Sequence, residues 1–238
     1  QMAGTERMRI TSTGDVGIGT SSPSSYASTT LEIKGSSTTS DIKMTNTTTG
    51  VGNAAGYDLE LNGNDINYVN RTSGGNQKFW TNSTERMRID ATGAVTMPAQ
   101  PAFLVKPASN QENIAINADT TIVFGTEIFD QNADFASNTF TAPVAGKYQL
   151  NISMTLTDVD SATQYVQLFL VTSNRTIPKV YSFQQFSGDV TYWGLQTSAL
   201  VDMDASDTCY IQLNLHVSGT AQMDVQGNYT FFSGYLVA

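Results

Sequence analysis

Two regions of the chain differ in how apolar and polar residues alternate. In residues 147–156, Tyr148, Leu150, Ile152, Met154 and Leu156 alternate with Lys147, Gln149, Asn151, Ser153 and Thr155, the period-two pattern of a half-buried strand. Residues 208–217 repeat it, with Cys209, Ile211, Leu213, Leu215 and Val217 on one side and Thr208, Tyr210, Gln212, Asn214 and His216 on the other. Further strands are predicted over 121–124, 138–141, 165–171, 179–183, 191–203 and 228–237. No segment sustains a 3.6-residue apolar period, so short strands at this spacing predict a β-sandwich over 103–238. The last strand, with Phe231, Phe232, Tyr235 and Leu236, is apolar on both faces and needs a second cover, such as a neighbouring subunit.

The first 97 residues hold only short alternating pieces, among them Leu31-Glu32-Ile33, Asp41-Ile42-Lys43-Met44 and Asp58-Leu59-Glu60-Leu61, set in Ser, Thr, Asn and Gly. One piece recurs. Thr5-Glu6-Arg7-Met8-Arg9-Ile10 returns unchanged as Thr84-Glu85-Arg86-Met87-Arg88-Ile89, and each copy runs through a Thr-Gly pair to Val16 or Val95. An exact hexapeptide predicts a repeated strand whose Thr-Gly pair turns the chain into the next strand. Such sparse strands cannot offset roughly 1 to 2 kcal/mol of backbone entropy per residue in a lone chain. Either the region is disordered or several chains pool their apolar edges; the kept alternation favours pooling into an elongated, intertwined trimeric β shaft. The division is therefore 1–97 fibre shaft, 98–102 linker around Pro98 and Pro101, and 103–238 head.

Composition sharpens this division. Only 14% of the 238 residues are charged and the net charge is -9, which opposes a grip on nucleic acid or anionic lipid. Before Pro98 eight basic residues nearly balance nine acidic ones, and after it four face twelve, so the acidic excess belongs to the head. Residues 1–97 hold five of the 23 aromatics, so a conventional core is available only to the head. One cysteine and one histidine exclude an intrachain disulfide and a Cys/His zinc cluster. No apolar run is long enough to span a bilayer, and no cationic and apolar signal segment leads the chain. The first residue is Gln1 rather than Met, which fits a processed or truncated start.

Phe140-Thr141-Ala142-Pro143-Val144-Ala145-Gly146-Lys147-Tyr148 resembles the signature of the globular head of the first complement component and its relatives, trimeric jelly rolls shared with the tumour necrosis factor family. Tyr229-Thr230-Phe231-Phe232-Ser233-Gly234-Tyr235-Leu236-Val237 looks like that family's closing strand, and Ser206 stands where the family usually has the Gly of a Gly-Asp turn. The Glu-Arg-Met-Arg-Ile units, with Gly14-Asp15-Val16-Gly17-Ile18-Gly19-Thr20 and Pro23 after the first, resemble repeats of phage tail fibres, where a self-cleaving chaperone tail often follows; here a jelly-roll head takes its place. The resemblances imply a homotrimeric virion fibre, external on the particle and attached to other tail or capsid proteins, ending in a receptor-binding knob. A capsid-decorating fibre without a receptor role is the alternative, and a host-polysaccharide depolymerase a more distant one.

Catalytic patterns are weak. Gly17-Ile18-Gly19-Thr20 precedes no helix and closes on no Lys, so it reads as a turn rather than a phosphate loop. Asp158/Asp160 and Asp202/Asp204 have the spacing of carboxylate pairs but fall at strand ends, where acidic residues cap turns. His216 lies on a strand without a nucleophile elbow, and the six Asn-x-Ser/Thr matches follow from composition. No catalytic residue is expected, and the protein is read as a non-enzyme. Counting antiparallel strands back from the C-terminus places the segments 157–164, 184–190 and 218–227 together at a distal tip. They would gather Asp158, Asp160, Asp189 and Asp224, a carboxylate set suited to Ca²⁺, as the complement resemblance also suggests, or else a solvated acidic rim. The same segments supply Gln164, Gln184, Gln185, Phe186 and Gln222, amide and aromatic groups suited to a host-surface glycan or protein.

Overall fold

The computed structural model describes residues 7–23, 31–35, 38–50, 52–219 and 222–238. Thr5, Glu6 and Tyr26 therefore lie outside the described residues. The chain divides into two compact units, Gln1–Met97 and Pro98–Ala238. Among the described residues all regular structure is β apart from one short 3-10 turn, and no helix is long and apolar enough to cross a membrane.

The described residues of the first unit form three separate three-stranded sheets. The first joins β1 (Met8–Ile10), β2 (Val16–Ile18) and β3 (Leu31–Ile33), with β2 and β3 parallel. β4 (Thr39–Met44), β5 (Tyr57–Asn62) and β6 (Asp65–Asn70) form an antiparallel meander, as do β7 (Gln77–Thr81), β8 (Thr84–Ile89) and β9 (Val95–Thr96). Met8–Ile10 of the first copy and its counterpart 87–89 of the second fold alike. Ile10 pairs Val16 as Ile89 pairs Val95, and the turns close through Thr11 N to Asp15 O (2.8 Å) and Asp90 N to Ala94 O (3.0 Å). Gly14 and Gly93 both adopt a φ near +90°, which explains the glycine of each Thr-Gly pair. Residue 11 or 90 also caps the turn with its side chain: Asp15 N donates to Thr11 Oγ1 at 2.9 Å and Ala94 N to Asp90 Oδ1 at 3.0 Å.

Register gives every sheet one mainly apolar and one mainly polar face, although Trp80 of the third sheet lies opposite Glu85 on the polar side. On the first sheet Met8, Ile18 and Ile33 form one cross-strand row and Ile10, Val16 and Leu31 the next. Ile42, Leu59 and Tyr68 align on the second, beside Leu61 and Ile66, and Phe79 faces Met87 on the third. These apolar faces are open: Ile10 is 66% exposed, Ile66 65% and Tyr68 64%. The burial is inverted, because Asp58 (1% exposed) and Glu60 (8%) are covered on the opposite face. Arg71 bridges both carboxylates, and Arg88 holds Glu85 through two bonds of 2.7 and 2.8 Å. Ala55 is the only buried apolar residue among the described residues of this unit.

The second unit is a sandwich of two six-stranded sheets. Its strands are β10 (Ala102–Lys106), β11 (Asp119–Thr121), β12 (Thr126–Gln131), β13 (Phe135–Ala136), β14 (Thr139–Thr141), β15 (Gly146–Val159), β16 (Thr163–Thr172), β17 (Thr176–Ser182), β18 (Val190–Met203), β19 (Thr208–Val217), β20 (Asp224–Val225) and β21 (Phe231–Leu236). One sheet runs β12-β10-β21-β15-β18 with β20 on β15; the other runs β13-β14-β19-β16-β17 with β11 on β19. The sheets are jelly-roll-like, and the interior is conventional. Phe103 stacks on Phe140 with ring centroids 4.8 Å apart and meets Phe232 edge-on at 5.0 Å.

Residues 208–217 form a strand with the predicted limits, whereas the strand expected over 121–124 stops at Thr121 and that over 228–237 begins as a 3-10 turn, Gly227–Tyr229. β10 and β12 were not expected. β10 is apolar at both parities, and the β10–β12 register shifts between Leu104 and Val105, which breaks any regular alternation.

The complement-like signature has a packing explanation. Phe140 and Tyr148 are buried, Tyr148 Oη donates to Val144 O at 2.7 Å, and a Cβ on Gly146 would lie 2.7 Å from Ala238 O. A Cβ on Gly234 would fall 2.6 Å from Leu150 Cδ2 and 2.7 Å from Phe103 Cε1. Gly234→Ala should therefore lower stability by about 1–3 kcal/mol through overpacking, read by chemical denaturation. Ser206 takes the family's glycine position with a φ of 77°, a left-handed conformation that disfavours a side chain. Ser206→Gly should raise the melting temperature of the head by roughly 2–4 °C in calorimetry.

Candidate functional site

Antiparallel pairing collects several strand ends at one end of the sandwich. Val159 pairs Val190, Thr163 pairs Val217, Tyr165 pairs Ser182 and Thr157 pairs Asp224. The opposite end holds Ala102, where the first strand of the unit begins, together with Gly146, Met203 and Leu236. The segments 160–162, 183–189 and 218–222 thus share the end remote from the strand that opens the unit, with residues 220–221 outside the described set.

Hydrogen bonds tie these segments together. Ser161 donates to Asp189 Oδ1 from both its backbone N (3.0 Å) and its Oγ (2.8 Å). These two bonds, the backbone one first, hold the Asp189 carboxyl below the usual carboxylate range. Gln164 Nε2 donates to Ser218 Oγ at 2.9 Å, and Phe183 N donates to Gln164 O at 3.1 Å. Behind them lies an aromatic cluster: Phe186 is 4.9 Å from Trp193 and 5.4 Å from Phe183, all edge-on. Gln184 and Gln185 are exposed, Phe186 is half-buried, and Gln222 is exposed with no contact to the cluster recorded.

Asp158 belongs to β15 rather than to a loop, exposed, with a left-handed φ of 54°. Asp160 Oδ1 accepts from Ala162 N at 2.6 Å. Asp224 is in β20, and its Oδ1 accepts from Asn113 N at 2.7 Å, so this residue pins a neighbouring segment. Among the described residues no group of three or more His, Cys, Asp or Glu side chains is placed to hold a metal ion. Asp160, Asp189 and Asp224 each make these hydrogen bonds through Oδ1.

Sequence reasoning missed Phe183, Trp193, Ser161 and Ser218, which shape this end. The adjacent aromatics Tyr192 and Trp193 at the start of a strand were a visible signal; the Ser161–Asp189 link joins residues 28 apart and left none. Elsewhere the candidate chemistry is quiet. His216 Nε2 lies 2.8 Å from Gln167 Oε1 and its ring stacks on Tyr165 at 4.0 Å. Cys209 is buried, and burial pushes its thiol up, away from the reactive thiolate.

Residues 102–237, which cover both sheets and every segment of this end, match the C1q domain family. The chain belongs to the C1q domain family. C1q-type domains are trimeric, often ligand-binding modules rather than enzymes. Among solved structures, the globular domain of zebrafish complement 1qA protein is similar over 58% of this chain and 98% of its own, at 18% identity and a TM-score of 0.44. Murine APRIL, crystallised at pH 8.0, is similar over 58% and 99%, at 10% identity and a TM-score of 0.43. No curated protein sequence matches the chain significantly.

The C1q end-loops carry an acid dependence with a defined sign. Folding lowers the Asp189 pKa, so its contribution is complete above the unfolded carboxylate value of about 3.9 and is lost as pH falls through the folded one. An NMR titration should show the Ser161 amide constant from pH 7 to the unfolded value and moving below it. In Asp189→Asn that movement should be absent.

Proposed function

We propose that this protein is a trimeric virion fibre of a phage, in which a shaft built from the first unit carries a C1q head that attaches the particle to a host-surface glycan or protein. The observation that carries the attachment role is the far end of the C1q sandwich, where exposed Gln184 and Gln185 precede half-buried Phe186 on a loop anchored against Phe183 and Trp193. Exposed amides suit sugar hydroxyls and peptide groups, and an anchored aromatic supplies apolar contact at low entropic cost. Gln164 and Gln222 extend this surface. The phage setting rests on the resemblance of the repeated Thr-Glu-Arg-Met-Arg-Ile units to tail-fibre repeats. Three heads per fibre and several fibres per particle make avidity the source of durable attachment. A calcium ion in such a fibre would have to draw carboxylates such as Asp158 and Asp160 from more than one copy.

Binding of fluorescent full-length protein to host cells tests the attachment role. Phe186→Ala should weaken single-site binding by about tenfold, the size of an interface hot spot, and more in the multivalent format. Saturable binding that Phe186→Ala leaves unchanged contradicts the site, and the absence of binding to any susceptible host favours a decorating fibre.

A further inference from the structure

The open apolar faces of the first unit have a definite occupant. We propose that the same sheets of two further copies of this chain cover them, parallel and in register, so that residues of equal number meet at a shared hydrophobic interior. This inference rests on the trimeric reading of the protein and specifies which surfaces the shaft buries.

Three observations lead there. First, the apolar rows are exposed while carboxylates of the polar faces already have partners within the chain, Arg71 on Asp58 and Glu60 and Arg88 and Lys78 on Glu85. A sheet that buries its acids and exposes Leu59, Leu61 and Ile66 gains nothing by refolding on itself, because its partner surface lies outside the chain. Secondly, the exposed area is of interface size. Twelve large side chains on the three faces, each at least a third exposed, present on the order of 1,000 Å² per chain, against roughly 800 Å² per partner in a standard stable interface. A groove of about 380 Å³ between the first and second sheets is lined chiefly by apolar residues, among them Leu31, Ile33, Ile42, Leu59 and Ile66, with Asp41 and Glu60 also on its wall.

Thirdly, connectivity selects the copy over a different protein. The unit is followed directly at Pro98 by a domain of a trimeric family. Three heads bound by a three-fold axis deliver three N-terminal units from equivalent points, so the chains run the same way and carry no stagger. Tethering raises the local concentration of the identical faces to about the millimolar range, where even weak mutual affinity is realised. The faces carry no charged side chain that would demand a complementary partner: the rows of the second sheet are Ile42, Leu59 and Tyr68, then Ser40, Leu61 and Ile66.

The full-length chain provides the test. Leu61→Cys and Ile66→Cys, mildly oxidised, should each give interchain covalent dimers in most molecules, while Asn67→Cys on the polar face should give none; buried Cys209 adds no background. As a second variant, Leu61→Glu should raise the rate of limited proteolysis within residues 31–70 at least about tenfold while sedimentation still reports three chains held by the heads. Asn64→Glu, in the exposed β5–β6 turn, is the charge control and should change neither. Trimers that fail to cross-link at 61 and 66 and that tolerate Leu61→Glu overturn this inference and leave the trimeric head intact. A wild-type chain that sediments as a monomer overturns both.

Discussion

The structure depends on one constraint: a three-stranded sheet with one apolar face is unstable in water unless something covers that face. The two units meet this constraint in opposite ways. In the C1q unit the two sheets cover each other, and Phe103, Phe140 and Phe232 fill the space between them. In the first unit the second sheet buries Asp58 and Glu60 under Arg71, the third holds Glu85 against Arg88, and the apolar rows stay open. One chain closes a core in its second unit and leaves apolar rows open in its first.

That division also explains how the C1q unit holds its end loops in place. The long strands β15 and β18 pair from Gly146–Met203 to Val159–Val190, so the segment bearing Asp160 and Ser161 is carried on a ladder that spans the sandwich. Gly234 and Gly146 allow the closing strand and the C-terminus to lie tight against that ladder. Phe186 is held edge-on against Trp193 and Phe183, and Gln184 and Gln185 stay exposed beside it on the same loop.

Strands with clean alternation, above all residues 208–217, were legible in the sequence because burial on one face writes itself as period two. The hexapeptide was equally legible, and the glycine of each copy proved to be set by a left-handed turn. What stayed hidden has particular causes. β10 is apolar on both parities, and β12 is offset from it by a shifted register. Asp224 looked like a loop carboxylate, but a short strand beside Thr157 directs it to Asn113 N. The inverted burial of Asp58 and Glu60 could not be read at all, since alternation marks two faces without saying which one the chain itself covers.

Amide hydrogen exchange of β5 in the full-length protein tests the shared interior most directly. A three-stranded sheet with an uncovered apolar face opens readily, so its amides would exchange within seconds. The shared core predicts protection of the Leu59 and Leu61 amides lasting hours, comparable to that of Leu213 in the centre of the C1q sandwich. Exchange at the rate of an open sheet, with Leu213 still protected, would contradict it.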